Sequence, residues 1–145
     1  MTPEGRREGD REAVIVNDQP CVLCSRARSG DLIAENGLAV AFPDGFPLNP
    51  GHSLVVPRRH VADLFELSIP EQQAIWNLVP EVRSAIARVH QPAGYNVGVN
   101  VGPAAGQTVA HAHVHVIPRF PGDVPDPRGG IRWVIPARAA YWNDP

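Results

Sequence analysis

The sequence predicts an α+β fold built on an antiparallel sheet of about five strands, with one long and one short helix. Short apolar segments with the period of a β-strand outnumber the helical segments. They follow one another through turns rich in Gly, Pro and Asn, as hairpin-linked strands do. Strands connected in this way pair antiparallel, and helices cover the sheet that they form.

The first half of the chain contains three strand signals. The segment DLIAENGLAVAF predicts a β-hairpin in which Asn36 and Gly37 adopt the positive φ of a tight turn. The segment PDGFPLNPG predicts a loop, because it is dense in Pro and Gly. HSLVVP then predicts a short apolar strand, and VADLFEL predicts a short helical turn.

The long helix is predicted from Ser68 to about His90. Ser68 and Glu71 match a capping box, and apolar residues continue behind them at helical spacing. Pro80 lies inside this pattern and predicts a kink or a break, because proline removes a helical hydrogen bond. GYNVGVNVG and TVAHAHVHVIP predict two more strands, separated by the loop PAAGQ. The tail GGIRWVIPARAAYW predicts a further strand or a cover over a cleft.

The composition predicts one globular domain at residues 19–145, preceded by a flexible, charged lead-in at residues 1–18. The net charge of −2 argues against a protein that coats nucleic acid. No apolar run approaches the roughly 20 residues of a membrane-spanning helix, and the N-terminus lacks the apolar core of a signal peptide. We therefore expect a cytoplasmic protein with neither a nucleic-acid nor a membrane partner.

Three of the six histidines alternate with small and branched residues in the run AHAHVHV. Because the period of a strand is two, His111, His113 and His115 are predicted to share one face while their neighbours face the core. Three protonated imidazoles at this spacing would repel one another, so some of them must be neutral near pH 7. A half-buried strand with locally hydrogen-bonded histidines is the simpler alternative, but three histidines on one face favour a chemical role.

Two kinds of chemistry suit such a row of histidines. They could ligate a catalytic zinc ion that activates water, or one of them could act as a nucleophile toward phosphorus. The upstream loop GPAAGQT favours the nucleophile, because its backbone N–H groups and polar side chains suit phosphate oxygens. Carboxylates, which often accompany hydrolytic metal centres, are sparse between Glu71 and Asp123.

The two cysteines, Cys21 and Cys24, are too close in sequence for a disulfide that closes a useful loop. In a reducing compartment such a pair predicts a metal site or a redox pair, with two reduced packing residues as the third possibility. A redox pair would need a thioredoxin-like βαβ setting, which the sequence does not indicate. His90, at the end of the long helix, is explained by a favourable contact with the helix dipole.

The histidine run and a second segment resemble a known family, the HIT superfamily of nucleotide hydrolases and transferases. HAHVHVI matches its pattern His–apolar–His–apolar–His–apolar–apolar, and NPGHSLVVPRRHVADLFEL looks like its second signature. GQTVAHAHVHVIPR is close to the form found in the dinucleoside-polyphosphate hydrolases of this superfamily. The resemblance covers roughly residues 20–120 and implies a HIT-like fold, a homodimer and a nucleotide substrate with an AMP moiety.

The resemblance also implies roles for particular residues. His113 would attack the α-phosphorus and form a nucleotidyl-histidine intermediate, and His115 and His111 would complete the catalytic triad. Five further residues would bind phosphate, the leaving group or ribose: His52, Asn100, Gln107, Thr108 and Asp44. Water, phosphate or another acceptor would then resolve the intermediate, and Mg²⁺ could accompany a polyphosphate substrate.

Cys21 and Cys24 could form half of a tetrahedral Cys₂His₂ zinc site, and zinc-bearing relatives match this sequence at two histidines that would complete it. The resemblance therefore implies a closed, structural zinc site. Its ligands would be Cys21, Cys24, His60 and His111.

Two positions leave the substrate open. Asn100 is typical of the nucleoside phosphoramidases, whereas Thr108 is typical of the dinucleoside-polyphosphate hydrolases. The expected activity is hydrolysis of diadenosine polyphosphates to AMP. Hydrolysis of nucleoside phosphoramidates, phosphorolysis of diadenosine polyphosphates and nucleotide sensing without turnover are the alternatives.

Overall fold

A five-stranded antiparallel sheet organises the chain, of which the computed structural model describes residues 15–16 and 19–145. The strands in these residues are β1 (Ile15–Val16), β2 (Gln19–Pro20), β3 (Ala34–Glu35), β4 (Ala39–Pro43), β5 (Ser53–Pro57), β6 (Gly94–Val99) and β7 (Val114–Arg119). β1 and β2 pair with each other as a separate ribbon, and the other five lie in the order β3-β4-β5-β7-β6. The predicted α+β fold with about five antiparallel strands is confirmed. The predicted lead-in, residues 1–18, lies outside the described residues apart from β1.

Three α-helices of very different length accompany the sheet: α1 (Val22–Arg28), α2 (Ile69–His90) and α3 (Pro136–Ala139). α2 is the predicted long helix, and VADLFEL contains the predicted short turn as a 3₁₀ helix at Leu64–Glu66. Neither α1 nor α3 was predicted from the sequence pattern. Among the described helices, none is both long and apolar enough to cross a bilayer.

α2 begins at the predicted cap and continues past Pro80. The Ser68 hydroxyl accepts the N–H of Glu71 at 3.2 Å, and the Glu71 carboxylate accepts the N–H of Ser68 at 3.1 Å. Of the kink or break predicted at Pro80, the break is wrong, because the helix is continuous to His90. Proline costs about 3 kcal/mol inside a helix, whereas each buried aliphatic side chain stabilises by roughly 1.5–3 kcal/mol. Buried residues on both sides of Pro80 therefore hold α2 in one piece: Ala74, Ile75, Leu78, Val82 and Ile86.

The two faces of the sheet have different neighbours. In β4, Ala39 and Ala41 pack in the cluster that contains the buried face of α2, whereas Val40 and Phe42 pack in a second cluster with Cys21 and Cys24. Successive residues of a strand point to opposite faces, so the second cluster lies on the face away from α2.

The β3–β4 hairpin is present, but its turn differs from the predicted one. Neither Asn36 nor Gly37 has a positive φ. Instead, Asn36 Oδ1 accepts the N–H groups of Leu38 and Ala39 at 3.1 and 2.9 Å. Asn36 Nδ2 donates to the Ala74 carbonyl of α2 at 2.9 Å, so docking against the helix selects a turn closed by a side chain.

The histidine run enters its strand later than predicted. β7 begins at Val114, so His115 lies in the strand whereas His111 and His113 precede it. The Ala112 N–H donates to the Val61 carbonyl at 2.7 Å, which attaches this segment to the chain that follows β5. The expectation of one uninterrupted strand is therefore wrong, because tertiary hydrogen bonds replace the sheet ladder before Val114.

The tail forms 3₁₀ turns and α3 instead of the strand that was one of its two predicted forms. It lies against β6, where Ile131 Cδ1 is 3.4 Å from the position that a Cβ atom on Gly98 would occupy. Gly98 pairs with His115 in the sheet, so the tail lies beside the histidines.

Candidate active site

Asp44 and His52 lie opposite each other because one follows β4 and the other precedes β5. Pro43 pairs with Ser53 at the end of this strand pair, and the Asp44 N–H donates to the His52 carbonyl at 2.9 Å. Asp44 Oδ2 lies 3.4 Å from His52 Nε2 and 4.0 Å from His115 Nδ1. Asp44 and His52 were expected to bind substrate, but their mutual contact was not expected, although the ends of two adjacent strands predict it.

Hydrogen bonds determine which nitrogens of His52 and His115 carry protons. The Leu48 N–H donates to His52 Nδ1 at 3.0 Å, so the proton of neutral His52 is on Nε2. His52 Nε2 donates in turn to His115 Nδ1 at 2.9 Å. Neutral His115 therefore carries its proton on Nε2, and no acceptor for that proton occurs in the described part of the chain.

His113 has the opposite arrangement of protons. Its Nδ1 lies 2.7 Å from the carbonyl oxygen of His111, which can only accept, so the proton is on Nδ1. Nε2 of His113 is left with a lone pair, and the rings of His113 and His115 lie 5.1 Å apart. A nitrogen with a free lone pair beside an N–H donor can attack an electrophile whose charge the donor stabilises.

Burial keeps the imidazoles of His52 and His115 neutral. Desolvation lowers the pKa of His115 to about 4; nearby His113 and His52 lower it further, and Asp44 opposes the shift. Desolvation also lowers the pKa of His52, again against the effect of Asp44. Neutral His52 and His115 at pH 7 agree with the proton positions inferred from the hydrogen bonds.

A second cluster joins His111 to the cysteines, and it contains all four residues predicted as zinc ligands. Cys24 Sγ lies 3.2 Å from His60 Nδ1 and 3.4 Å from His111 Nδ1, and Cys21 Sγ lies 3.6 Å from His111 Nδ1. The two thiols do not form a disulfide. Cys21 caps α1, which brings both sulfur atoms to the same end of this helix.

The geometry and chemistry of this cluster fit a tetrahedral zinc ion. With zinc–sulfur and zinc–nitrogen bonds of about 2.3 and 2.0–2.1 Å, neighbouring ligand atoms lie about 3.5 Å apart. His111 Nε2 lies 2.9 Å from the Pro57 carbonyl and donates to it, so its Nδ1 lone pair faces the sulfur atoms. Burial lowers the pKa of His111 to about 4, which maintains the neutral form that a metal requires.

The Gly-rich loop before the histidines is held by Gln107. Its Nε2 donates to the carbonyls of Ala62 and Val109 at 2.8 and 3.0 Å, and its Oε1 accepts the Gly102 N–H at 2.9 Å. Asn100 and Thr108, by contrast, make no side-chain hydrogen bond to the described residues. The predicted phosphate contact of Gln107 stays a prediction, and in this conformation its amide orders the loop.

An ion pair that was not predicted from the sequence connects α2 to the Cys/His cluster. Arg59 Nε and Nη2 donate to the Glu71 carboxylate at 3.0 and 2.8 Å. The hydrogen bond from Arg59 lowers the pKa of Glu71 to about 2. Because Arg59 precedes His60, this pair ties the capped end of α2 to a cluster residue. A basic residue near the end of β5 and an acid at a helix cap could have suggested it.

A family model described as the HIT domain matches residues 26–122. The chain belongs to the HIT family. The matched segment contains His52 and His60, which flank β5, and all three histidines of the triad. The predicted family and HIT-like fold are confirmed.

Two curated relatives are similar to part of this HIT protein. AP-4-A phosphorylase of Mycobacterium tuberculosis is 40% identical over 95 residues, which cover 65% of this chain and 49% of the relative. Bis(5'-nucleosyl)-tetraphosphatase (asymmetrical) of Schizosaccharomyces pombe is 41% identical over 86 residues, which cover 59% of this chain and 47% of the relative. The chain thus spans about half the length of each relative.

A solved structure with a similar fold is a Zn-bound histidine triad family protein of Mycobacterium smegmatis. Its TM-score is 0.62 at 29% sequence identity, with 82% of this chain and 91% of that chain covered. The Cys/His cluster of this HIT protein is consistent with zinc binding as well.

Proposed function

We propose that this HIT protein is an enzyme that cleaves diadenosine polyphosphates at an α-phosphate and releases AMP. The observation that carries the proposal is the 2.7 Å hydrogen bond from His113 Nδ1 to the His111 carbonyl. It leaves Nε2 of His113 with a lone pair, in a ring whose centre lies 5.1 Å from that of His115, and His115 Nε2 carries an N–H donor. The names of the phosphorylase and the tetraphosphatase relatives support the choice of substrate.

The reaction proceeds through two displacements at one phosphorus atom. His113 Nε2 attacks the α-phosphorus, and the bond to the leaving nucleotide breaks with its electron pair on the leaving oxygen. Water then attacks the nucleotidyl-histidine and loses a proton to the medium, and the P–N bond breaks to release AMP. Splitting the reaction in this way replaces one difficult step by two easier ones.

The groups around His113 have complementary roles. His115 Nε2–H donates to a phosphate oxygen, and His52 maintains this state by donating to the other nitrogen of His115. Asn100 and Thr108 have unused polar groups for further phosphate oxygens. Asp44 accepts the ribose hydroxyls from the end of β4, and Gln107 adds a contact to the phosphates or orders the loop that presents Thr108.

We assign a structural zinc ion to Cys21, Cys24, His60 and His111. When bound, zinc would stabilise the segment whose His111 carbonyl orients the nucleophile, and four protein ligands leave no position for substrate. The Zn-bound relative from Mycobacterium smegmatis supports this assignment. Mg²⁺ is assigned to the polyphosphate of the substrate. A single domain at residues 19–145, a homodimer and a cytoplasmic location without nucleic-acid partners stay predictions.

Phosphorolysis is the second candidate, and the name of the Mycobacterium tuberculosis relative favours it. It shares the first displacement and differs in the second, where inorganic phosphate replaces water and ADP replaces AMP as the product. Phosphoramidate hydrolysis, which Asn100 favours, differs instead in the leaving group of the first displacement.

Product analysis distinguishes these reactions. The protein is incubated with diadenosine tetraphosphate in ¹⁸O-labelled water, with and without inorganic phosphate, and in parallel with adenosine 5'-phosphoramidate. We expect AMP that carries ¹⁸O, together with ATP. ADP formed only in the presence of phosphate would identify a phosphorylase, and turnover of the phosphoramidate alone would identify a phosphoramidase.

The matched controls are two histidine substitutions. His113→Ala should abolish turnover, whereas His90→Ala, at the exposed end of α2, should leave it unchanged. Tight AMP binding without turnover of any substrate would contradict the enzyme proposal and favour a nucleotide sensor.

A further inference from the structure

A cavity of about 750 Å³ lies on the sheet face that carries His115. Its floor contains Ile117 and Arg119, which alternate with buried residues along β7 in the same way as His115. Same-face residues of a strand lie about 7 Å apart, so the floor begins about 7 Å beyond His115. Asn96, paired with Ile117, extends the floor onto β6.

The polar groups of this cavity are already bonded to one another. Arg119 Nε and Nη2 both donate to the Asp123 carboxylate at 2.8 Å, and its Nη1 donates to Asn96 Oδ1 at 2.6 Å. Asn49 also donates to Asp123 at 2.8 Å. All three guanidinium nitrogens are engaged, and the lining holds two carboxylates, Asp123 and Asp126, against one guanidinium. The cavity is therefore not built to attract a phosphate.

The rest of the lining is mostly apolar, and all of its large apolar side chains except the half-buried Ile117 are exposed. It comprises Leu48, Ile117, Val124, Ile131, Trp133 and Val134, together with Pro127, Gly130 and Asp126, whose carboxylate pairs with Arg128. Exposed apolar groups that converge on one concave surface indicate a ligand site, since each has contact area to bury. Such a surface suits an uncharged, flat group.

The tail forms a fixed wall of this cavity. Trp133 Nε1 donates to the Arg128 carbonyl at 2.8 Å, and the Arg128 guanidinium lies 4.4 Å from the ring centre of Trp142. Arg132 donates to the carbonyls of Ala139 and Arg138 at 3.1 and 2.7 Å. The indole of Trp133 is therefore held in place before any ligand arrives.

We propose that this cavity is the subsite for the nucleoside of the leaving group, the second nucleoside of a dinucleoside polyphosphate. This inference rests on the proposed function, because it needs a substrate whose α-phosphate is at His113. A leaving nucleotide has its charge near the reacting phosphorus and its flat, neutral base at the far end of the phosphate chain. The charged part of such a nucleotide would lie at the hydrogen-bond donors around His113, and its base would lie in the apolar cavity farther along β7. The Asn96 Nδ2, which the Arg119 network leaves unused, can donate to the base.

The test compares two ligands that differ in the second nucleoside. They are the methylene-bridged, uncleavable analogues of diadenosine tetraphosphate and of adenosine 5'-tetraphosphate, and isothermal titration calorimetry measures the Kd of each. The wild-type protein should bind the two-nucleoside analogue about tenfold tighter, because the second base finds a preformed apolar site.

Two isoleucines of the tail provide matched variants. Ile131 and Ile135 are both 57% exposed, but only Ile131 lines the cavity. Ile131→Asn should reduce the preference for the two-nucleoside analogue to about twofold or less, and Ile135→Asn should retain it. Trp133→Leu should weaken binding of the two-nucleoside analogue more than binding of the adenosine 5'-tetraphosphate analogue.

The outcomes separate this inference from the proposed function. Equal affinity of the wild-type protein for both analogues would overturn the subsite and leave the proposed function standing. Failure to bind either analogue would overturn both. An Ile131→Asn variant that weakens both analogues equally would also overturn the subsite, because the tail would then shape the whole active site.

Discussion

His111 and His115 lie four residues apart and have opposite surroundings. His111 is 0% exposed and faces two thiols and a second histidine, whereas the His115 side chain is 23% exposed and takes its hydrogen bond from His52 at an open surface. The first set of groups is closed, as a structural metal site requires, and the second leaves room for a substrate. Burial and partners therefore distinguish the roles of residues that the sequence presents as equivalent.

His113, between them, shows how a backbone carbonyl selects the available nitrogen. His111 donates from Nε2 to Pro57 and turns the lone pair of Nδ1 toward the two sulfur atoms, whereas His113 donates from Nδ1 to His111 and keeps the lone pair of Nε2. The same side chain thus presents a nitrogen suited to the proposed metal in one case and a nitrogen suited to the proposed nucleophilic attack in the other.

The largest loss of activity is predicted for substitution of His113, the proposed nucleophile. His113→Ala should lower turnover of diadenosine tetraphosphate by about 10⁴-fold or more, because the covalent step has no replacement. Thermal unfolding and zinc content should stay at wild-type values, since His113 is outside the cysteine cluster. A clear loss of zinc in this variant would contradict the separation of the two sites.

Removing the proposed metal should have the complementary effect. Chelation, or His111→Ala, should lower the free energy of unfolding by about 4 kcal/mol. The reference is the wild-type protein with free zinc at about a thousandfold excess over its Kd. Differential scanning calorimetry with and without chelator measures this change, and activity at low temperature should fall only as molecules unfold. Immediate loss of turnover in molecules that remain folded would instead support a catalytic zinc.

The contribution of His52 is expected to be smaller. His52→Ala removes the donor to His115 Nδ1, so His115 loses the partner that maintains its proton on Nε2. We expect turnover to fall by about 10²-fold, the lower limit for groups that control proton positions. Single-turnover kinetics at saturating substrate separates this effect from any effect on substrate binding. An unchanged rate would show that the hydrogen bond from His52 is not needed to keep the His115 proton on Nε2.

His115, the partly exposed histidine, should also resist protonation as the pH falls. Burial lowers the pKa of His115 from 6.5 to about 4, so its neutral form persists as pH falls and is lost only near pH 4. NMR titration of the His115 ring should therefore show a neutral signal from pH 8 to about pH 5. A transition near pH 6.5 would mean that the site is far more hydrated than its burial indicates.

The smallest effect is expected at the Arg59–Glu71 pair. Glu71→Gln should lower the free energy of unfolding by about 1–2 kcal/mol at pH 7, since it weakens a charged hydrogen bond and the helix cap. Because the pKa of Glu71 falls from 4.5 to about 2 in the folded protein, the stabilisation is complete above pH 4.5 and is lost toward pH 2. Urea unfolding of both proteins at pH 7 and pH 3 should show the difference shrinking, and a constant difference would contradict the charge effect.

Much of the fold follows from local patterns. The capping box at Ser68, the strand SLVVP and the hairpin around Asn36 all depend on neighbours in sequence, and each is present. The errors occur where distant groups intervene. Ala74 of α2 selects the Asn36 turn, and packing on both sides of Pro80 outweighs a missing hydrogen bond.

The candidate site shows the same division. Its residues were named from motifs and family resemblance, and the structure brings all four cluster residues together and places His52 against His115. The Arg59–Glu71 pair and the engaged amide of Gln107 were missed, because their partners are set by how loops dock.

The alternating pattern of the histidine run specified which side chains could act together, because alternation depends on strand geometry alone. It did not specify which imidazole would be a ligand and which a nucleophile. That choice depends on carbonyl acceptors brought to the ring nitrogens by folding, at Pro57 for His111 and at His111 itself for His113. Proton positions are thus a property of the folded surroundings, since a hydrogen bond to a carbonyl determines which nitrogen keeps its lone pair.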